Sequence, residues 1–446
     1  MLLPKELIQE LSRSLKEEDL AAFVASYQEK RAVGLRTNRL KNTPQELAAR
    51  LPYLTEVVKW CPDGFYYPEG EVRPAKEIDY FAGCYYIQEP SAMLPGEWLA
   101  PLPGERVLDL CAAPGGKAVQ LGGKMRNSGL LVANEPNSQR AKVLLRNLER
   151  CGVANILVLR EQPERLAQVF PGFFDRILVD APCSGEGMFR KEPDMAKEWS
   201  EESVAGYVRL QRTILEQALR MLRPGGTLVY STCTFNRRED EEQIAALLAD
   251  YPELTLDEER RIWPQCERGE GHFVCRLRKA GDLTSVVALP ERLVKVSATA
   301  AKALVGFCQD LCGDENAWQN WLPAGGVLVE RDEHLIWEHH DLPLLKGLAV
   351  QRSGWLLGTL PRGRFKPSQA LALGLTAAGT ETARKYPLAD KGQAIRYLKG
   401  ETLMTGERGW HLVTWQGHAL GWAKGDGTWL KNEYPPGWRW QDSEEA

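Results

Sequence analysis

Between about residues 86 and 280, short apolar runs alternate with stretches of helical spacing. Runs at 107–110, 130–134, 156–159, 176–180, 227–231 and 273–277 predict strands. Between them, 138–151 and 207–222 carry apolar residues at three- and four-residue intervals and predict helices, the second closed by Arg223-Pro224-Gly225-Gly226. Alternating strands and helices predict a doubly wound parallel sheet, an α/β Rossmann-like core whose reacting groups lie at the carboxyl ends of the strands. Before it, Leu7, Ile8, Leu11, Leu15 and Leu20 have helical spacing, and short pieces punctuated by Pro62, Gly64, Pro68, Gly70 and Pro74 follow, which predicts a small α+β unit. Beyond 280 the texture changes: ten of the fourteen tryptophans lie there, and 400–440 breaks into short apolar pieces split by glycine turns, as in a small β-rich domain. Four units are expected: 1–85, the core over 86–282, an intermediate stretch with its linker over 283–380, and 381–446.

Composition narrows the class. The 446 residues, 43% hydrophobic and 26% charged, suit a globular protein of several domains. No apolar run reaches 18 residues, and the first residues lack the apolar core of a secretory signal, so neither membrane nor secretion is expected. Ten dispersed cysteines do not make a disulfide scaffold, and a reducing cytoplasm is the expected compartment. The net charge of −4 argues against a uniformly basic surface, yet 352–399 holds nine Lys/Arg against two acids, a surplus suited to phosphate binding. Tryptophans interleaved with these basic residues could stack bases, although tryptophans of this kind more often anchor cores and turns.

The candidate chemistry sits at the predicted strand ends. Val107-Leu108-Asp109-Leu110-Cys111-Ala112-Ala113-Pro114-Gly115-Gly116-Lys117 reads as a strand, a tight loop and a helix start, with small residues that admit close approach of a ligand. It fits neither phosphate motif: Lys117 is followed by Ala118 rather than Ser or Thr, and no GxGxxG is present. Glu135 closes the next strand, 26 residues after Asp109, where an acid can accept both ribose hydroxyls. An adenosine-binding acid beside a loop without phosphate contacts favours S-adenosylmethionine, and Asp109 or Asp180 could favour its positive charges.

Two cysteines complete the pattern. Cys183 lies in Asp180-Ala181-Pro182-Cys183-Ser184-Gly185, and Cys233 in Ser231-Thr232-Cys233-Thr234. Two thiols delivered to one cleft suggest covalent chemistry on an electron-poor ring: a thiolate adding to carbon 6 of cytosine makes carbon 5 nucleophilic, and loss of the carbon 5 proton expels the thiolate. Asp180, three residues from Cys183, could hydrogen-bond the ring's amino edge. Zinc is disfavoured, because Cys266, His272, Cys275, Cys308 and Cys312 form no CxxC pair, and a redox dithiol would want the same motif. An Asp-Pro-Pro-Tyr-like turn of amino methyltransferases remains an alternative for the first thiol. Spacing does not say which thiol attacks.

These residues resemble the RNA cytosine-5 methyltransferases of the Sun family. The resemblance rests on Cys111–Lys117, on Asp180–Gly185 with Ser231-Thr232-Cys233, on Gly187-Met188-Phe189-Arg190-Lys191-Glu192-Pro193-Asp194, and on Tyr86-Ile87-Gln88-Glu89-Pro90-Ser91-Ala92-Met93. Arg362-Gly363-Arg364-Phe365-Lys366-Pro367-Ser368, Trp422-Ala423-Lys424-Gly425 and Leu430–Arg439 are similar to the RsmF/YebU subgroup, which implies 16S ribosomal RNA or the small ribosomal subunit as substrate and a C-terminal PUA-like domain. By position the resemblance implies that Cys233 is the nucleophile and Cys183 helps release the product. It implies that Cys111, Ala112, Ala113, Pro114, Gly115, Gly116, Lys117, Glu135 and Asp180 hold S-adenosylmethionine, with no metal. Where the family often has Asp after the third strand, this chain has Gln162 next to Glu161. Other outcomes are a transfer RNA methyltransferase, a DNA cytosine methyltransferase or a noncatalytic RNA-binding assembly factor. Removal of 285–446 is expected to weaken RNA binding and spare cofactor binding.

Overall fold

The computed structural model describes residues 3–282 and 295–441. The expected junction at 283 and the last residues of the 381–446 unit lie outside them. The central sheet has eight strands: β1 Arg106–Asp109, β2 Leu130–Asn134, β3 Ile156–Leu159, β4 Phe174–Asp180, β5 Leu222–Thr232, β6 Leu254–Ile262, β7 His272–Lys279 and β8 Val350–Arg352. Their order across the sheet is β6-β7-β5-β4-β1-β2-β3-β8. Alternate residues of the inner strands serve opposite faces: Leu108, Leu130 and Val132 enter one buried cluster, and Val107, Leu131 and Ala133 the other. Burial on both faces is why these strands read as continuous apolar runs.

The sheet is mixed, where an all-parallel one was expected. The inner five strands are parallel, but β7 runs antiparallel to β5, β6 antiparallel to β7, and β8 antiparallel to β3. β6 escaped sequence reading because Leu254-Thr255-Leu256-Asp257-Glu258-Glu259-Arg260-Arg261-Ile262 is a charged edge strand with its side chains largely at the surface.

Residues before the core form a four-stranded antiparallel sheet of Glu56–Val58, Cys61–Tyr66, Gly34–Thr37 and Tyr85–Ile87, so the expected break between 85 and 86 falls inside a strand. The single helical pattern at the N-terminus folds as two helices, Lys5–Leu11 and Glu17–Ser26. Leu7, Leu11 and Phe23 pack with Phe189, Trp199 and Phe235 from the loops that follow the two thiols. Buried Arg36, on the small sheet, donates to the Gly116 carbonyl at 2.8 Å, tying that sheet to the start of the loop helix.

C-terminal to the core, Gly326–Arg331, His334–His339, Trp355–Thr359 and Lys366–Pro367 form a four-stranded sheet. Lys385–Pro387, Leu403–Met404, Arg408–Trp415, His418–Asp426 and Trp429–Asn432 form a five-stranded one. Between His339 and Trp355 the chain leaves its own sheet and crosses to the catalytic one. Leu342 is buried in the main core cluster, Leu345, Leu348 and Val350 pack against it, and β8 closes the free edge of β3. The Arg160 N–H donates to the Ala349 carbonyl at 2.9 Å, and Arg352 pairs with Glu149 at 3.4 Å. Part of 285–446 is thus an edge of the central sheet, which argues against its removal sparing cofactor binding.

The basic surplus of 352–399 is largely met by acids from elsewhere. Arg352, Lys366, Arg384, Lys391 and Arg396 pair with Glu149, Glu433, Asp310, Glu77 and Glu401. Arg362, Arg364 and Lys385 are exposed. Of the tryptophans counted beyond 280, Trp321, Trp355, Trp410 and Trp422 are buried, and Trp429 is exposed. Packing is thus the main use of the ones that are buried. No helix among the described residues is long and apolar enough to cross a membrane.

Candidate active site

Parallel pairing of β4 with β5 sets Asp180 beside Ser231. The two chains then turn out of the sheet together and bring Cys183 Sγ to 3.4 Å from Cys233 Sγ, although 50 residues separate them. Both thiols are half-buried. The pKa of Cys183 is raised well above that of a free thiol, first by its hydrogen bond with Cys233 and then by burial. Cys183 is therefore held as a neutral thiol.

Asp180 accepts from Lys117 Nζ at 2.7 Å and from Ser231 Oγ at 2.8 Å, and His272 Nε2 lies 3.5 Å away. Burial works against its ionisation, but Lys117 and then His272 outweigh it and hold the carboxyl well below the usual range. A depressed carboxylate stabilises the fold above its unfolded pKa and loses that contribution only as pH falls through the lower folded value. Lys117→Met removes the leading opposing charge and leaves burial opposed by His272 and Ser231 alone. The variant should lose activity at a higher pH on the acid side of its profile than the parent does. A pH profile of methyl transfer that is superimposable on the parent's would refute this role of Lys117.

The cofactor loop follows β1. Its carbonyls are taken by the protein: Ala113 by Arg140, Pro114 by Asn147 and Gly116 by Arg36. The Ala113–Pro114 peptide is cis. The loop glycines also meet demands of backbone conformation and packing within the protein. Gly115 has φ +115°, and a Cβ at Gly116 would meet Tyr86 at 3.1 Å. Lys117, the residue that would face phosphate in a nucleotide loop, is committed to Asp180. Asp109 is fully buried, and neither of its carboxylate oxygens has a hydrogen-bond partner of normal geometry. Burial, and then Asp180, push its pKa up to about 8. Glu135 is buried at the end of β2, where it accepts from the Asn137 N–H at 2.9 Å and lies 3.4 Å from Arg140. The buried, unpartnered Asp109 carboxyl and the buried Glu135 carboxyl, beside a phosphate-free loop, suit an adenosine cofactor that offers them donors. Glu161 accepts from the Ala349 N–H at 2.5 Å, so the crossing segment ends against the residue after β3, while Gln162 is exposed.

Sequence reading missed four buried groups around the thiols. His272 faces Asp180 from β7, an antiparallel strand, and burial lowers its pKa. Glu186, Glu239 and Gln211 lie beneath the thiol turns, where Ser184 bonds both glutamates and Gln211 bonds Glu239. No spacing rule links these positions, which come from three different elements. Among the described residues, the one group with ligand-like spacing for a metal is His339, His340 and Asp341.

The family described as 16S rRNA methyltransferase RsmB/F matches residues 96–278, and the N-terminal domain of 16S rRNA methyltransferase RsmF matches 3–90. The RsmF first C-terminal domain matches 306–375, and the methyltransferase RsmF PUA domain 388–440. The ribosomal RNA small subunit methyltransferase F of Shewanella loihica is 33% identical, covering 90% of this chain and 88% of the relative. That of Klebsiella pneumoniae is 33% identical, covering 93% and 91%. Among solved structures, a methyltransferase homolog protein from Pyrococcus horikoshii matches with TM-score 0.53 and 27% identity over 62% of this chain and 100% of that one. NSun6 from Pyrococcus horikoshii, in a crystal structure with SFG, shares the fold with TM-score 0.57 and 20% identity, over 63% of this chain and 99% of that one. With a Rossmann-like core, the two thiols at adjoining strand ends and relatives matched over nearly their whole length, the chain belongs to the RsmF family of 16S rRNA methyltransferases.

Proposed function

We propose that this protein methylates carbon 5 of cytosine in 16S ribosomal RNA through a covalent bond between Cys233 and the base. The observation that carries the reading is the contact of Cys183 and Cys233 at 3.4 Å beside the phosphate-free loop. S-adenosylmethionine, when bound, supplies an activated methyl group. Asp109, Glu135, Asp180 and the loop Cys111-Ala112-Ala113-Pro114-Gly115-Gly116-Lys117 would hold it. Cys233 adds as thiolate to carbon 6 of the flipped cytosine, which makes carbon 5 nucleophilic. Ionised Asp180 accepts from the exocyclic amino group and orients the ring. After methylation, water in the cleft takes the carbon 5 proton, and the electrons of that bond expel Cys233 as thiolate. Cys183, kept protonated against it, helps release the product.

The small N-terminal sheet, the core, the intermediate sheet and the C-terminal PUA sheet act as one RNA-holding body in the cytoplasm. Exposed Arg362, Arg364 and Lys385 position phosphates, and the surface ion pairs nearby are weak enough to exchange for them. Incubation with methyl-labelled cofactor and either 16S ribosomal RNA, small subunits or transfer RNA tests the reading. Label at carbon 5 of a 16S cytosine is expected. Label on transfer RNA alone would move the substrate, and no label on any RNA would leave a noncatalytic binding factor.

A further inference from the structure

Each thiol is followed by a hydroxyl residue, Ser184 after Cys183 and Thr234 after Cys233, and the two hydroxyl oxygens lie 2.9 Å apart. Two fully buried glutamates enclose them. Ser184 Oγ is 2.8 Å from Glu186 Oε1 and also contacts Glu239 Oε1, while Thr234 Oγ1 contacts Glu186 Oε2. Gln211, from the helix Glu201–Met221, binds Glu239 Oε2 at 2.7 Å and the Pro182 carbonyl at 3.0 Å. This cluster joins the two thiol-bearing turns one residue from each sulfur.

The carboxyl–hydroxyl contacts of the cluster number three, and the two hydroxyls supply only two hydrogens for them. Ser184 has a single hydroxyl hydrogen and a carboxylate oxygen of each glutamate facing it. If both glutamates were ionised, one of those oxygen–oxygen contacts would hold no hydrogen inside a buried site, which is costly. Glu186 is the better anion: besides the two hydroxyls it accepts from Trp199 Nε1 at 2.6 Å and from the Phe235 N–H at 3.1 Å. Glu239 receives its two N–H donors, from Ser184 and Gln211, on Oε2, which leaves Oε1 facing Ser184 as the place for a proton. With that proton each carboxyl–hydroxyl contact holds a hydrogen: Glu239 donates to Ser184, Ser184 to Glu186, and Thr234 to Glu186, while the Ser184–Thr234 contact holds none.

We propose that Glu239 is a positioning residue that carries a proton in the working enzyme, and that the chain Glu239–Ser184–Glu186, closed by Thr234, fixes the two thiols at their working separation. The proposal rests on the methyltransferase reading above, which it deepens. The groups facing Glu239 are Glu186 and Cys183 on the first thiol turn, Tyr207 on the long helix, Tyr230 on β5, and Asp240, itself paired with Arg261 of β6. Burial, with Glu186 next, raises the pKa of Glu239 to about 7, within reach of ordinary assay conditions. As pH rises through that value the proton leaves, two buried anions face one hydroxyl, and the Cys183 turn loosens.

Glu239→Gln tests this, because an amide keeps a permanent donor toward Ser184 and an acceptor toward Gln211. The parent enzyme should lose turnover on the alkaline side of its profile. Glu239→Gln should keep turnover within about threefold at its best pH and lack that alkaline limb, and Glu239→Ala should fall at least ~10-fold. A Gln variant that retains the limb, or is as impaired as Ala, overturns the proposal. A second measurement needs neither RNA nor cofactor. Infrared difference spectra of the parent against Glu239→Gln should show a protonated carboxyl at about pH 6 that disappears by about pH 9. Absence of that band overturns the proposal whatever the enzyme does to RNA.

Discussion

Cys233→Ala abolishes methyl transfer, with an expected loss on the order of 10³-fold or more, and forms no RNA adduct. Cys183→Ala should transfer the methyl group yet stay attached to RNA after denaturation. The two sulfurs touch, but their surroundings differ. Cys183 is kept protonated first by its hydrogen bond to Cys233 and then by burial. A thiol held in that state is a poor nucleophile, and its S–H can donate a hydrogen bond to the departing sulfur of Cys233. Its removal should slow the exit of Cys233 from the base more than the attack. Denaturing electrophoresis of each variant with labelled RNA and cofactor separates the roles. Adduct in Cys233→Ala but not in Cys183→Ala would exchange them, and turnover by both single variants would remove the covalent route.

A chain ending at residue 282 should fail as a cofactor-binding protein, and not merely as an RNA-binding one. Truncation strips Leu342 from the main core and uncovers the surface on which Leu345, Leu348 and Val350 pack. At about 1.5–3 kcal/mol for full burial of one such side chain, and less for the half-buried three, the loss is roughly 5 kcal/mol. Total stability of a domain is only about 5–15 kcal/mol. Glu149, whose pKa burial raises against the opposing charge of Arg352, would also lose that partner. Glu161 would lose the Ala349 N–H beside the cofactor end of β3. The expected result is a melting temperature lowered by more than about 10 °C, with cofactor binding lost in titration calorimetry. A truncated protein that melts with the parent and binds S-adenosylmethionine with unchanged affinity would show that β8 is dispensable.

Much of this was legible in the residue string. Strands buried on both faces must be continuously apolar, so 130–134 and 156–159 coincide with the observed β2 and β3, and the other four predicted strands lie inside observed ones or differ by a residue at an end. The site residues were legible because a parallel sheet delivers them all to one edge: Asp109, Glu135, Asp180 and Cys233 each end or follow a strand. What local pattern could not carry was partnership. A charged strand such as β6 has no apolar period to betray it, and the three residues of β8 come from nearly 200 positions beyond the strand they cover. The basic stretch looked more unbalanced than it is because several of its acids are far away in the chain. The buried pair Glu186 and Glu239 drew no reading, since no local signal marks a carboxylate that folding will bury against hydroxyls on two turns. Apolar periodicity is a local property and survives in sequence. The pairing of buried polar groups, and with it the 3.4 Å contact that sets the two thiols to work together, is satisfied only between elements brought together by the fold.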